Sequence, residues 1–206
     1  QVDVAVIEAG LGGRHDATNV LDAGIVVLTN VGLDHTDVLG ETREQIAAEK
    51  LAVVSPGATL IVGEPGWGGT YTKDVGRAAA EAFLGCDLEG DVEISLPGRF
   101  DVFGEDVFAG AHNPAGIKWL LQRLPRNDYV IVASILADKD AGEMLRLLAR
   151  AGRTFIATSS RSARVMPADE LGRAAEPFFD SVEVEPDPER ALDRAESPVL
   201  VTGSLY

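Results

Sequence analysis

Apolar residues in the first part of the chain come as short continuous runs, Val2–Ile7, Ile25–Thr29 and Thr59–Val62, and such runs predict buried strands. From Thr42 to Val54 the apolar positions return every three or four residues, which predicts a helix. Thr42-Arg43-Glu44-Gln45 fits a capping box at its start, and Ser55-Pro56-Gly57 ends it. A glycine patch, Gly66-Trp67-Gly68-Gly69, precedes a short alanine-rich helix around Asp74 to Leu84. The chain opens directly on a strand with no methionine or capping segment before it, so it reads as cut from something longer.

Turn-forming sequence up to Leu96-Pro97-Gly98 predicts a domain boundary, with one domain over residues 1–95 and another over 96–206. The second opens with a hairpin, Phe100–Phe103 and Asp106–Ala109 around Gly104-Glu105. Helix and strand then alternate: a helix from Pro114, strand Tyr129–Ser134, helix Ala141–Ala151, strand Thr154–Thr158, helix Ala168–Ala175, strand Val182–Val184, helix Pro188–Ala195 and strand Val199–Thr202. That alternation predicts an α/β fold with a parallel sheet. Met144, Leu145, Leu147 and Leu148 read as core, and Trp67 and Trp119 as packing residues rather than platforms for bases.

Composition narrows the classes. The 206 residues are 46% hydrophobic, enough for packed cores. No run approaches the roughly 20 apolar residues that span a bilayer, and the start lacks the basic residues of a signal peptide, so a cytoplasmic protein is expected. Eighteen Lys and Arg against thirty-three Asp and Glu give a formal charge of -15, which argues against a general grip on nucleic acid. One cysteine, Cys86, supplies neither a disulfide framework nor a thiolate zinc cluster.

In an open parallel sheet, ligands gather at the carboxyl ends of the strands. After the first predicted strand come Glu8 and a glycine-dense loop, Gly10-Leu11-Gly12-Gly13-Arg14-His15-Asp16, able to approach a phosphate and flanked by groups that could hold a metal and an anion. The second leads to Asp34 and His35, an oxygen and a nitrogen donor predicted on the same edge. Lys50 lies four residues after Ile46, along the apolar stripe of its helix; it either snorkels to water or is paired or chemically altered there.

In the second half, Asn113 and Pro114 suit a helix start, but capping leaves His112 unexplained beside a helix N-terminus that favours phosphate. Arg99 falls at the domain junction, where clefts form. Asp138, Lys139 and Ser204 follow later strands, and serve equally as solvated loop polars or as ligand contacts.

The string Val6-Ile7-Glu8-Ala9-Gly10-Leu11-Gly12-Gly13-Arg14-His15-Asp16-Ala17-Thr18-Asn19-Val20 resembles a signature of the folylpolyglutamate and dihydrofolate synthases, in the Mur ligase superfamily. Gly32-Leu33-Asp34-His35-Thr36, Ala47-Ala48-Glu49-Lys50, Leu96-Pro97-Gly98-Arg99-Phe100, Gly110-Ala111-His112-Asn113-Pro114, Asp138-Lys139-Asp140 and Thr202-Gly203-Ser204-Leu205-Tyr206 resemble later motifs of that family in the same order. The resemblance implies part of a central ATPase-type α/β domain followed by a C-terminal Rossmann-like domain. It also implies a cytoplasmic, monomeric ligase that uses ATP and magnesium, or manganese, to join glutamate to folate or dihydropteroate. By the same resemblance Glu8 and His35 bind the metal, and Lys50 is a carbamylated lysine that supports it. Arg99 contacts the nucleotide and His112 lies near the phosphate and the acyl intermediate, while Gly12, Arg14, Asp16, Asn113, Asp138, Lys139 and Ser204 line the substrate and nucleotide sites.

The chain also departs from the family pattern. It contains no Gly-Lys pair and so no phosphate-binding loop of the family's type, and Ala109 stands where the family usually has Asp. Those departures keep open a non-catalytic folate- or nucleotide-binding relative, and a cell-wall Mur ligase as a third reading.

Overall fold

The computed structural model describes residues 2–90 and 96–203, and the chain divides into two compact units, Gln1–Val92 and Glu93–Tyr206. The first unit is built on a three-stranded parallel sheet of β1 (Ile25–Leu28), β2 (Thr59–Val62) and β3 (Thr70–Tyr71), in that order. Its helices are α1 (Thr36–Leu39), α2 (Arg43–Leu51) and α3 (Val75–Leu84). The expected capping box starts α2: Thr42 Oγ1 accepts from Gln45 N at 3.3 Å and Gln45 Oε1 accepts from Thr42 N at 3.1 Å. Ile46 and Ala47 on α2 join Leu28, Val31, Leu39 and Val62 in a small core.

The predicted strand Val2–Ile7 does not form. Residues 2–9 are exposed and outside any strand, and Val6 is 97% exposed. A parallel strand needs a neighbour's edge for its N–H and C=O groups, and β1 pairs with β2 while the 2–7 segment takes up no edge. An apolar run by itself supplies no such partner. Two short elements, α1 and β3, and a 3-10 turn at Ala17–Val20 lie where loop was expected.

The second unit is a six-stranded sheet of β4 (Asp101–Phe103), β5 (Asp106–Phe108), β6 (Val130–Ala133), β7 (Thr154–Ala157), β8 (Ser181–Val184) and β9 (Val199–Thr202), in the order β4-β5-β9-β6-β7-β8. In this sheet only β4 runs antiparallel to its neighbour, as the first arm of the expected hairpin. Helices α4 (Pro114–Leu121), α5 (Ala141–Leu148), α6 (Ala168–Ala175) and α7 (Pro188–Arg194) connect the strands.

Alternate strand residues point to opposite faces. Ile131, Ala133, Phe155, Ala157 and Leu200 face a core shared with Ile117, Met144, Leu145, Leu148 and Leu171. Val132, Ile156 and Val199 face Ala191 of α7 on the other side. Burial on both faces explains the continuous apolar runs of β6, β7 and β9. Because β9 inserts between β5 and β6, the carboxyl ends of these three strands lie side by side at the point where the strand order reverses.

Candidate functional site

In the second unit this edge is assembled by backbone register. Asp101 pairs with Phe108, and carrying the antiparallel register onward sets Arg99 opposite Gly110. Gly110 N donates to Gly98 O at 2.7 Å, and Gly98 N donates to Asp101 Oδ2 at 2.6 Å. On its other side the 110–113 loop meets β9, where Ala111 O accepts from Gly203 N at 3.0 Å and Thr202 Oγ1 at 3.3 Å. Gly203 has φ +98°, and a Cβ there would stand 2.4 Å from Ser134 O, so only glycine lets β9 leave the sheet this close to β6. Asn113 Oδ1 accepts from Gly116 N at 2.8 Å and Pro114 follows as the first helical residue, so Asn113 caps α4.

His112 stands exposed at that helix start with Nδ1 3.0 Å from Gly110 O. A carbonyl oxygen only accepts, so Nδ1 carries the proton and Nε2 is left for a ligand. Arg99 is exposed and makes no ion pair among the described residues.

Lys139 and Asp138 follow β6, with Lys139 Nζ and Arg164 Nη1 each 3.6 Å from Asp138 Oδ2. The Lys139 side chain is only 9% exposed, whereas Asp138 and Arg164 stay open to solvent. Ala137 N donates to Arg164 O at 2.8 Å and Met166 N to Ile135 O at 2.9 Å, which ties the loops after β6 and β7 together. Beside them Ser160 N donates to Ser134 Oγ at 2.9 Å. Arg164, Ser134 and Ser160 were not singled out in the sequence; they too lie just beyond β6 and β7, and the carboxyl-end rule covers them. Ser204 lies outside the described residues.

In the first unit the glycine loop packs on the helices, not on a strand end. A Cβ on Gly13 would stand 2.6 Å from Glu49 O and 2.7 Å from Lys50 O, and one on Gly12 2.7 Å from Leu39 Cδ2. Arg14 N donates to Glu49 O at 3.0 Å, and Arg14 Nε pairs with Glu49 Oε1 at 2.9 Å. The loop therefore sits against the last turn of α2, beside half-buried Lys50.

Asp16 has a different task from the one its acidity suggested. Its carboxylate accepts from Gly10 N, Leu11 N, Thr18 N and Thr18 Oγ1 at 2.7–3.0 Å. The hydrogen bonds from the Leu11 N–H and the Thr18 hydroxyl and N–H hold its pKa at about 2. It braces the loop from within.

His35 is the N-cap residue of α1 and has φ 53° and ψ 41°, the left-handed region that few residues other than glycine adopt. Its Nε2 is 3.9 Å from Asp34 Oδ1. Glu8 is exposed on the extended 2–9 segment, and no contact among the described residues joins it to His35. Among the described residues no three acidic, imidazole or thiol side chains stand close enough together to hold a metal ion.

A second carboxylate-centred cluster of this unit was also passed over in the sequence. Glu64, directly beyond β2, accepts from Val31 N, Arg43 Nη2 and Trp67 Nε1 at 2.7–2.8 Å. Burial pushes its carboxyl up, but the hydrogen bonds from Trp67, Val31 and Arg43 together hold it below the ordinary 4.5.

The second unit is a largely parallel α/β fold whose polar loops lie at a topological switch point, where folds of this class gather their ligands, and comparison with known proteins names the family. The chain belongs to the Mur ligase family: residues 98–205 match its glutamate ligase domain. Within that family it is similar to the dihydrofolate synthase/folylpolyglutamate synthase of Escherichia coli strain K12, at 32% identity over 72% of this chain and 49% of the relative. Its fold matches a Mycobacterium tuberculosis folylpolyglutamate synthase complexed with ADP and AMPPCP, at TM-score 0.84 and 27% identity over 98% of this chain and 66% of that one. It also matches a bifunctional folylpolyglutamate synthase/dihydrofolate synthase with Mn, AMPPNP and L-glutamate bound, at TM-score 0.70 and 26% identity over 95% of this chain and 63% of that one. The chain spans about half the length of the Escherichia coli relative. No helix among the described residues is long and apolar enough to cross a membrane.

Proposed function

We propose that the protein carrying this chain is an ATP-dependent ligase that joins glutamate to the carboxylate of folate or dihydropteroate, acting as a cytoplasmic monomer. The observation that carries the reading is the position of His112 at the start of α4, two residues beyond Gly110, which strand register sets opposite Arg99, within a glutamate ligase domain. ADP, ATP analogues and glutamate bound to similar proteins support it. Residues 1–95 are then part of a central ATPase-type domain, and 96–206 the C-terminal Rossmann-like domain.

In the reaction, the γ-phosphoryl group of ATP passes to an acceptor carboxylate oxygen and ADP leaves. The glutamate amine then attacks the acyl carbon, phosphate departs with the transferred oxygen, and the amine gives up a proton. The difficulty is to bring several anions together, and this chain is itself acidic, at -15. Local cations must offset that charge. Arg99 and Lys139 supply fixed positive charge. His112, with its proton held on Nδ1, offers Nε2 as a base for the amine, and when doubly protonated it donates to a phosphate oxygen. Arg14, whose N–H and Nε are held by Glu49, would offer its remaining guanidinium N–H groups to substrate, Gly12 lets the loop pack close, and Asp16 keeps that loop in shape. Asn113 fixes the helix start, and Asp138 and Ser204 would serve as nucleotide contacts.

Glu8 and His35 are the residues that would hold magnesium or manganese. Each is a donor of a kind these cations take, a carboxylate oxygen and an imidazole nitrogen, while no contact among the described residues joins the two. Carbamylation of half-buried Lys50 would turn a repelling ammonium into a further oxygen donor. The metal would offset phosphate charge.

The test is turnover by the full-length gene product with ATP, glutamate and either dihydropteroate or a reduced folate. ADP release that requires both glutamate and one acceptor is expected, and no release with either acceptor overturns the reading. Tight folate binding by calorimetry without turnover would instead support the binding-module alternative that Ala109 raised.

A further inference from the structure

The loop after β1 is clamped at one residue from both sides. Glu64 Oε1 accepts from Val31 N at 2.7 Å, and Arg43 Nε donates to Val31 O at 2.9 Å. The two clamping side chains are joined to each other, with Arg43 Nη2 2.8 Å from both Glu64 carboxylate oxygens. Trp67 completes the cluster: its Nε1 donates to Glu64 Oε1 at 2.7 Å, and the Arg43 guanidinium lies 5.4 Å from its ring centroid. Nothing in the reaction scheme uses these residues.

The clamp has a consequence four residues onward. Val31 is 3% exposed and Leu39 is 7% exposed, so both ends of the segment between them are fixed in the core. The span carries Asp34 and His35. Asp34 N donates to Gly32 O at 3.1 Å and His35 N to Asp34 Oδ1 at 3.0 Å, a turn that starts one residue after the clamped peptide. His35 reaches its left-handed conformation at the end of that turn, a state that persists only when the surroundings over-determine it. Gly63 tightens the arrangement from the β2 side, since a Cβ there would stand 2.2 Å from Thr29 O.

We infer that Glu64, held by Arg43 and Trp67, is a positioning residue that sets the direction of His35 through the backbone of Val31. The inference rests on the reading of His35 as a divalent-cation ligand. Partners that orient a ligand in this way typically change metal affinity by 10–100-fold when removed.

The experiment uses the full-length gene product with Glu64→Gln, which keeps an acceptor for Val31 and Trp67 but loses the charge that holds Arg43. Arg43→Lys, which keeps charge but loses the fork, is the second variant, and His35→Ala the reference. Two quantities are read: amide exchange over residues 31–36 and 25–28, and the dissociation constant of manganese alone from the resonance of free ion. Expected in both clamp variants are exchange at 31–36 faster by roughly tenfold with β1 unchanged, and manganese binding weaker by roughly tenfold. Unchanged exchange at 31–36, or equal acceleration throughout β1, overturns the inference by making the cluster inert or merely structural. Manganese affinity unchanged in the clamp variants but lowered in His35→Ala also overturns it. Affinity unchanged in His35→Ala overturns the metal reading beneath it.

Discussion

In the second unit the loop that carries His112 is fixed by strand register, with backbone bonds to Gly98 on one side and to Thr202 and Gly203 on the other. In the first, the loops that carry Gly12 and His35 are fixed by carboxylates, Asp16 and Glu64, that gather backbone N–H groups. The difference follows from packing. The six-stranded sheet has helices on both faces and a core from Val107 to Leu200, whereas the three-stranded sheet has a small core and leaves Val20, Leu33, Val38 and Phe83 exposed. Where little apolar surface is buried, hydrogen bonds to charged groups do more of the ordering. Substitutions should therefore act on stability in one unit and on local loop order in the other.

The largest expected effect is in the second core. Phe155→Ala removes a fully buried ring that packs against Phe179 in the large core and should lower stability by about 4 kcal/mol, read from the denaturant midpoint of the second unit's transition. A loss under about 1 kcal/mol would mean that this core does not dominate. His112→Ala should next reduce kcat about a hundredfold, or about 3 kcal/mol, with the unfolding midpoint unchanged. In the first unit, Thr42→Ala removes half of the α2 capping box and should cost about 1 kcal/mol in the same denaturant measurement.

The smallest effect is local and depends on pH. The Asp16 carboxyl sits at about 2 in the fold against an ordinary 3.8, so folding favours its charged form. Its contribution is complete above 3.8 and is lost as pH falls towards 2, because the unfolded chain takes up the proton first. Amide exchange at Gly10 and Leu11 should accelerate across that window, and Asp16→Asn should remove the pH dependence. Equal acceleration in the variant would contradict the assignment.

The contrast between the units also governs what could be read in the sequence. Strands β2 and β9 and helix α6 were legible to the residue, because burial and clear end signals both mark them. The first apolar run carried the same signal as β1 yet forms no strand, since composition does not say whether an edge is present to pair with. Asp16 was read as a ligand because an acid in a glycine loop has one sequence signature for two tasks, and only its four donors distinguish them. Glu64 lies beyond a strand's carboxyl end just as Glu8 was expected to, so the rule that selected Glu8 would have found it.

An acyl phosphate carries a carboxylate oxygen into the released phosphate, and one isotope experiment follows that oxygen directly. The full-length gene product is given acceptor labelled with oxygen-18 in its reactive carboxylate, together with ATP and glutamate, and the released phosphate is analysed by mass. One labelled oxygen per phosphate is predicted, because the carboxylate oxygen leaves with the phosphoryl group. Glutamate-dependent turnover that yields unlabelled phosphate would contradict it.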